Sequence, residues 1–297
     1  YSLIKAGTLL NRYNPEVVIG VGGYASGPLL YRASRKGIPT LIQEQNSFPG
    51  ITNRILARKV NKVCAGFPGL DRWFPKDRIV ETGNPLREAV LKLADSKSSA
   101  TKSTAISHFN LDTSKPVVFI MGGSLGALSM NMAVRNVLES SNNELMYSVI
   151  WQCGSRFFDE NAKWLDAFSK KNSKTAECVT CLGFIDRMDL AYAASDLIAS
   201  RAGAMSISEL ALVAKPTLLI PSPNVAEDHQ TKNAKSLVDR GAAILIKDCD
   251  VVQGLKNHIE NLLKDKTMRQ EMTINLKKAA RPNASYQIVD EVEKLLR

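Results

Sequence analysis

The sequence predicts an α/β protein of two domains, each a parallel sheet covered by helices. Three observations predict it. Short apolar runs alternate with helical periodicity through almost all of the 297 residues, as when crossover helices join parallel strands. Gly-rich turns follow several runs directly, as loops do at the carboxyl ends of parallel strands. A polar, aperiodic stretch, Ser96-Lys97-Ser98-Ser99-Ala100-Thr101-Lys102-Ser103-Thr104, separates one set of runs from the other.

The expected strands are 17–21, 40–43, 62–65 and 78–81, then 117–121, 147–151, 179–182, 197–199, 217–220 and 243–246. Four lie before the polar stretch and six after it. The domains are therefore expected at 1–95 and 116–280, joined by a linker region at 96–115. A terminal helix at 281–297 is expected to pack back toward the first domain. A four-strand first sheet would leave an edge uncovered. The opening Tyr1-Ser2-Leu3-Ile4-Lys5 reads as neither a signal peptide nor an initiation site. The chain is thus expected to begin inside a longer gene product, with its first domain incomplete.

Hydrophobic residues make up 44% of the chain, enough for two cores. No apolar run reaches the roughly 18 residues of a membrane span. The formal charge of +10 suits nucleic acid, an anionic bilayer or phosphorylated substrates. No finger, helix-turn-helix or RNA-binding signature occurs and the aromatics are scattered, which speaks against nucleic acid. Much of the charge falls at i,i+4 spacing and reads as solvated helix surface. Five cysteines, an odd number, suit a reducing compartment. Cys178-Val179-Thr180-Cys181 is a CxxC inside an apolar alternation. A buried strand is the main reading and a metal or redox site the alternative.

The strongest local signal is Met121-Gly122-Gly123-Ser124-Leu125-Gly126-Ala127, which follows one strand and opens a helix. Such a turn lets backbone N–H groups and a helix N-terminus meet a phosphate. It also suits a tight turn with Ser124 as N-cap. Gly-x-Ser-x-Gly formally matches a hydrolase elbow, with Asp196 or Asp228 and His229 or His258 as partners. A second loop, Ser200-Arg201-Ala202-Gly203-Ala204-Met205-Ser206-Ile207-Ser208-Glu209, repeats the logic. Arg201 adds charge there, and Glu209 could accept two ribose hydroxyls or serve as a surface cap. A third loop after 217–220 carries Asp228, His229, Gln230 and Asn233, groups suited to sugar hydroxyls. Asp248-Cys249-Asp250 matches a metal-binding Asp-x-Asp, with Asp250 alternatively a helix N-cap. In the first half, Gly20-Val21-Gly22-Gly23, Gln43-Glu44-Gln45-Asn46 and Thr82-Gly83-Asn84-Pro85-Leu86-Arg87 also stand at carboxyl ends of strands.

Together these stretches resemble the MurG family, the UDP-N-acetylglucosamine:lipid I N-acetylglucosaminyltransferases. The matching motifs are Val18-Ile19-Gly20-Val21-Gly22-Gly23-Tyr24-Ala25-Ser26-Gly27-Pro28, Gln43-Glu44-Gln45-Asn46, Gly83-Asn84-Pro85-Leu86-Arg87, Gly122-Gly123-Ser124-Leu125-Gly126-Ala127, Gly183-Phe184-Ile185-Asp186, Arg201-Ala202-Gly203-Ala204 and Asp228-His229-Gln230-Thr231-Lys232-Asn233-Ala234. They occur in family order over nearly the whole chain.

The resemblance implies a GT-B architecture, two Rossmann-like domains facing a cleft. It implies UDP-N-acetylglucosamine as donor and polyprenyl-linked lipid I as acceptor, with inversion at the anomeric carbon. By motif position, the donor contacts Asn46, Arg87, Ser124, Ile185, Arg201, Ala204, Met205, Ser206, Ile207, Ser208, Glu209, His229 and Gln230. Ile185 would read the uracil through its backbone. No metal and no cofactor are implied. The family's Gly-Gly-Thr-Gly-Gly-His loop, whose His is the candidate base, does not occur in this sequence, so the catalytic base is unassigned. A non-catalytic UDP-sugar-binding subunit, an inactive fragment and a UDP-sugar epimerase are the alternatives. The implied location is peripheral, on the cytoplasmic face of the bacterial inner membrane, with residues 1–12 as an amphipathic contact to anionic lipid or as a helix packed on the first sheet.

Overall fold

A computed structural model describes residues 1–94 and 101–297. The part of the expected linker at 96–100 lies outside the described residues. The chain forms two compact units, Tyr1–Leu86 with Arg281–Arg297, and Arg87–Ala280. The division falls ahead of residue 95, where polarity placed the end of the first domain. Its physical reason is the short helix Glu88–Leu91, which packs on the helices Met188–Ala194 and Ala204–Val213 of the second unit.

The first unit holds the parallel strands β1 (Val18–Gly20), β2 (Thr40–Glu44), β3 (Lys62–Ala65) and β4 (Ile79–Val80), in the order β1-β2-β3-β4. Every residue of β2 is buried, the pattern of a strand covered on both faces. Leu10, Leu30, Ile42, Val63 and Phe74 form the core beside it. The helix Gly23–Arg35 lies so close to β1 that a Cβ at Gly20 would stand 2.1 Å from Leu30 Cδ1. The terminal helix Ala284–Leu296 packs near β2 and buries Glu291, which accepts from Lys294 Nζ at 2.6 Å. Burial, and then the negative Glu291, pushes the Cys64 thiol up to about 12. In a timed thiol titration of native protein near pH 8, exposed Cys249 is expected to react first and Cys64 only after unfolding.

The second unit holds β5 (Val117–Met121), β6 (Ser148–Gln152), β7 (Val179–Leu182), β8 (Leu197–Ser200), β9 (Thr217–Leu219) and β10 (Ile244–Leu245). All pair in parallel, in the order β10-β9-β8-β5-β6-β7. Strand order reverses between the central neighbours β5 and β8, as in the doubly wound dinucleotide fold. Phe119, Trp151 and Tyr192 fill its core. Buried Asn131 accepts from Trp151 Nε1 at 3.0 Å and donates to the Cys153 carbonyl at 3.0 Å, so its polar ends are satisfied. Cys181 sits in β7, three residues from Cys178 and hence on the opposite face. Its sulfur lies 3.7 Å from that of Cys153 instead.

Among the described residues, no helix is long and apolar enough to cross a membrane.

Candidate functional site

The second unit carries a cavity of about 570 Å³ at the carboxyl ends of β5, β8 and β9. It lies at the reversal point between β5 and β8, where open α/β sheets hold their ligands. Ser124, Arg201, Ser206 and Gln230 line it, as do Ser129, Ser222, Asn224 and Asp248.

After β5 the chain turns at Gly122–Ala127, with the Gly126 N–H donating to the Gly123 carbonyl at 3.0 Å. Gly126 has a φ of 76°. A Cβ there would sit 2.1 Å from the Cys153 carbonyl oxygen, and one at Gly154 would sit 2.3 Å from Gly126 Cα. Two backbones cross at these glycines, and only residues without side chains fit. The helix that follows is Leu128–Glu139, with Ala127 as its N-cap and no side-chain cap. Ser124 is therefore not the N-cap. It stands exposed in the turn, with the first N–H groups of the helix behind it.

After β8, Gly203 is the N-cap of the helix Ala204–Val213, again without a side-chain cap. The helical ladder begins with Ile207 N–H on the Gly203 carbonyl at 2.9 Å, so the N–H groups of Ala204, Met205 and Ser206 make no intrahelical bond. The third helix, His229–Val238, starts at Asp228 in the left-handed region with a φ of 51°. Gln230 in its first turn accepts from Ala202 N at 3.2 Å and Ser222 N at 2.9 Å. Its carboxamide oxygen thus joins the loops after β8 and β9, which leaves Nε2 as its donor to a ligand.

Arg201 does different work from the free phosphate-binding charge expected of it. Its guanidinium pairs with Asp248 at 2.5 Å, donates to the carbonyls of Ile220 at 3.1 Å and Pro221 at 3.2 Å, and reaches Ser129 Oγ at 2.9 Å. Both charged side chains are largely buried. Arg201 is a clamp that gathers three loops, and Asp248 neutralises it. Asp248 of the Asp-x-Asp motif is occupied in this way, while Asp250 holds the N-cap position of the helix Val251–Lys264 without a side-chain cap bond. Asp248→Ala is expected to lower unfolding stability by about 2–3 kcal/mol, since it strands a buried guanidinium. Urea denaturation measures this, and an unchanged midpoint would remove the clamp from the account.

Glu209 does not line the cavity and stands one helical turn deeper. It is buried, with Oε2 accepting from Tyr192 Oη at 2.8 Å and Oε1 lying 3.2 Å from Arg87 Nε. Burial first, and then the charge of Glu209, holds the Tyr192 phenol well above its ordinary range, so it stays a donor. The carboxylate retains lone pairs beyond these two bonds. Ile185 is buried just after β7, and Ile207 is buried in the Ala204–Val213 helix. Met205 is exposed and Ser208 Oγ donates to the Ala204 carbonyl at 3.1 Å. His229 is half-buried at the first helical position outside the cavity lining. Asn46 belongs to the first unit, where its N–H donates to buried Glu44 at 2.9 Å. Glu44 also accepts from Gly50 N at 3.2 Å and Asn53 Nδ2 at 2.7 Å, so one carboxylate fixes the whole 45–50 loop.

The hydrolase arrangement with Asp196 does not form. Asp196 accepts from Val117 N at 2.9 Å at the start of β5, and Ser124 lies beyond the strand's other end. Five extended residues separate those ends by roughly 16 Å.

Residues 117–288 match the glycosyltransferase family 28 C-terminal domain, and residues 1–65 match its N-terminal domain. A protein of Flavobacterium psychrophilum named UDP-N-acetylglucosamine--N-acetylmuramyl-(pentapeptide) pyrophosphoryl-undecaprenol N-acetylglucosamine transferase is 45% identical, over 99% of this chain and 76% of its own length. A protein of the same name from Parabacteroides distasonis is 42% identical, over 99% of this chain and 77% of its own. The crystal structure of Acinetobacter baumannii MurG superposes with a TM-score of 0.76 at 29% identity, covering 98% of this chain and 77% of that one. A UDP-GlcNAc 2-epimerase from Neisseria meningitidis bound to UDP-GlcNAc shares the fold, with a TM-score of 0.69 at 15% identity, covering 99% of this chain and 80% of that one.

Proposed function

The chain belongs to glycosyltransferase family 28 and within it to the MurG family, and we propose that it transfers N-acetylglucosamine from UDP-N-acetylglucosamine to the C4 hydroxyl of the N-acetylmuramoyl unit of lipid I, forming lipid II. The observation that carries this reading is the convergence of three helix N-termini without side-chain caps on one cavity at the reversal point of the sheet. Each N-terminus carries a partial charge of about +0.5. Together with the turn amides they suit a diphosphate, and the cavity volume suits a ligand of nucleotide-sugar size.

In this reading the C4 hydroxyl of the acceptor gives its proton to a general base, which the sequence leaves unassigned, and its oxygen bonds to the anomeric carbon as the bond to the β-phosphate oxygen breaks. Negative charge grows on the departing UDP, where the fixed N–H groups of Ala204, Met205 and Ser206 and of the Gly122–Ala127 turn stabilise it. Ser124 donates its hydroxyl to the diphosphate and Gln230 its Nε2 to the sugar. Glu209 accepts the ribose hydroxyls, Ile185 contributes backbone groups to the uracil, and Arg87 completes the second unit's contacts to the donor. Calorimetry with UDP-N-acetylglucosamine tests the donor half. Binding that Ser124→Ala weakens supports it, and no heat at millimolar ligand rejects it.

Lipid I places the reaction at a membrane surface. The helix Ser2–Tyr13 exposes Leu3, Ile4, Leu9 and Tyr13, with exposed Tyr1 at its N-cap, beside the exposed cations Lys5 and Arg12. That combination suits peripheral contact with anionic lipid. Ile4→Glu is expected to reduce co-sedimentation with phosphatidylglycerol vesicles several-fold. Equal sedimentation with neutral vesicles would reject the contact.

A further inference from the structure

A larger cavity, about 750 Å³, lies in the second unit where β8 and β9 begin, at the end of the sheet away from the donor pocket. One wall is a stripe of the helix Lys266–Ala279, on which Lys266, Arg269 and Lys277 recur at near-helical spacing. Lys215, just before β9, supplies a fourth cation. Asp196 is the only acid in this lining among the described residues, and it is already engaged. Its Oδ1 pairs with Lys102 Nζ at 2.5 Å and its Oδ2 accepts from Val117 N at 2.9 Å. The buried Nε of Arg269 has no hydrogen-bond partner among the described residues.

We propose that this cavity is a second anion site, separate from the donor pocket, and that it takes a phosphate group between Arg269 and Lys215. Arg269 supplies the donor fork suited to phosphate oxygens, and Lys215, Lys266 and Lys277 supply charge. Burial lowers the affinity of Lys215 for its proton, with Lys102 acting in the same direction and Asp196 opposing, and an entering anion reverses that effect. The exposed Ile274 at the mouth offers an apolar contact to whatever carries the phosphate. A soluble phosphate ester and a phospholipid headgroup share this chemistry.

The test titrates the protein with inorganic pyrophosphate by calorimetry, and separately with vesicles of phosphatidylglycerol. The wild type is compared with Arg269→Gln and, because a half-buried site can fail to fold, with the exposed pair Lys266→Gln/Lys277→Gln. Affinity for UDP serves as the folding control and is expected to stay unchanged. Loss of about tenfold in pyrophosphate affinity in both variants establishes the site for soluble phosphate. An equal loss seen only with vesicles establishes it for a headgroup. Binding of neither probe, or binding that both variants leave intact, overturns the proposal.

Discussion

Gly126→Ala is expected to weaken UDP-N-acetylglucosamine binding by at least about 100-fold, equivalent to roughly 2.7 kcal/mol. Two costs add at this position. The left-handed backbone, with a φ of 76°, disfavours any L side chain by about 1–2 kcal/mol. The new Cβ also meets the Cys153 carbonyl oxygen at 2.1 Å, and a backbone atom cannot step aside as a flexible side chain can. The turn must move, and its amides then leave the diphosphate. Gly123→Ala provides the contrast. It shares a positive φ of 88°, but its Cβ would meet nothing within 4 Å. Only strain remains, and a loss of about tenfold is expected. Calorimetry with UDP-N-acetylglucosamine on both variants decides the matter. Equal losses would show that the crossing with Gly154 is irrelevant to the donor.

Glu209→Ala is the second large effect. It removes the carboxylate assigned to the ribose and strands the Tyr192 hydroxyl, whose ring is fully buried. An unpaired buried hydroxyl costs about 1–3 kcal/mol, which thermal unfolding will register. Donor affinity is expected to fall about 100-fold, as charge-assisted bonds to both ribose hydroxyls are lost. Tyr192→Phe separates the two roles, because it keeps the carboxylate and deletes only its donor. UDP affinity within about threefold of wild type is expected there. Should Glu209→Ala bind UDP as the wild type does, Glu209 is a structural residue and the ribose is held elsewhere.

Most of the strand plan was legible because parallel strands announce themselves. Residues 117–121 and 148–152 carry apolar runs, are buried on both faces and end in glycine-containing turns, which no helix pattern imitates. The position of Ser124 in a turn beside a cavity at the carboxyl end of a strand was legible for the same reason. What the residues hid were pairings between distant positions. Arg201 and Asp248 stand 47 residues apart in sequence, and each carried a plausible separate role, one as a phosphate ligand and one as a metal ligand. Only their approach in space converts both into a clamp. Glu209 likewise read as either a surface cap or a ribose residue, and its burial against Tyr192 and Arg87 removes only the surface reading. The limit of the first unit was misplaced because residues 88–91 pack by their apolar side chains, while the polar stretch that drew the boundary follows them. The basic lining of the second cavity could not be read at all, since Arg269 sits in an ordinary basic helix stripe.

The neutralised Arg201 has a consequence for how the enzyme would turn over. Among the described residues lining the donor pocket, the only cation is this one, and Asp248 balances it. Attraction for the nucleotide then comes from dipoles whose reach is a few ångströms, not from a long-range field. Affinity for UDP should vary little between low and physiological ionic strength, unlike that of a lysine-lined pocket. Arg87, the other cation assigned to the donor, is likewise balanced by Glu209 at 3.2 Å, so once the sugar has left no unpaired charge detains the spent nucleotide, and a site built this way favours rapid exchange of product for fresh donor over tight retention.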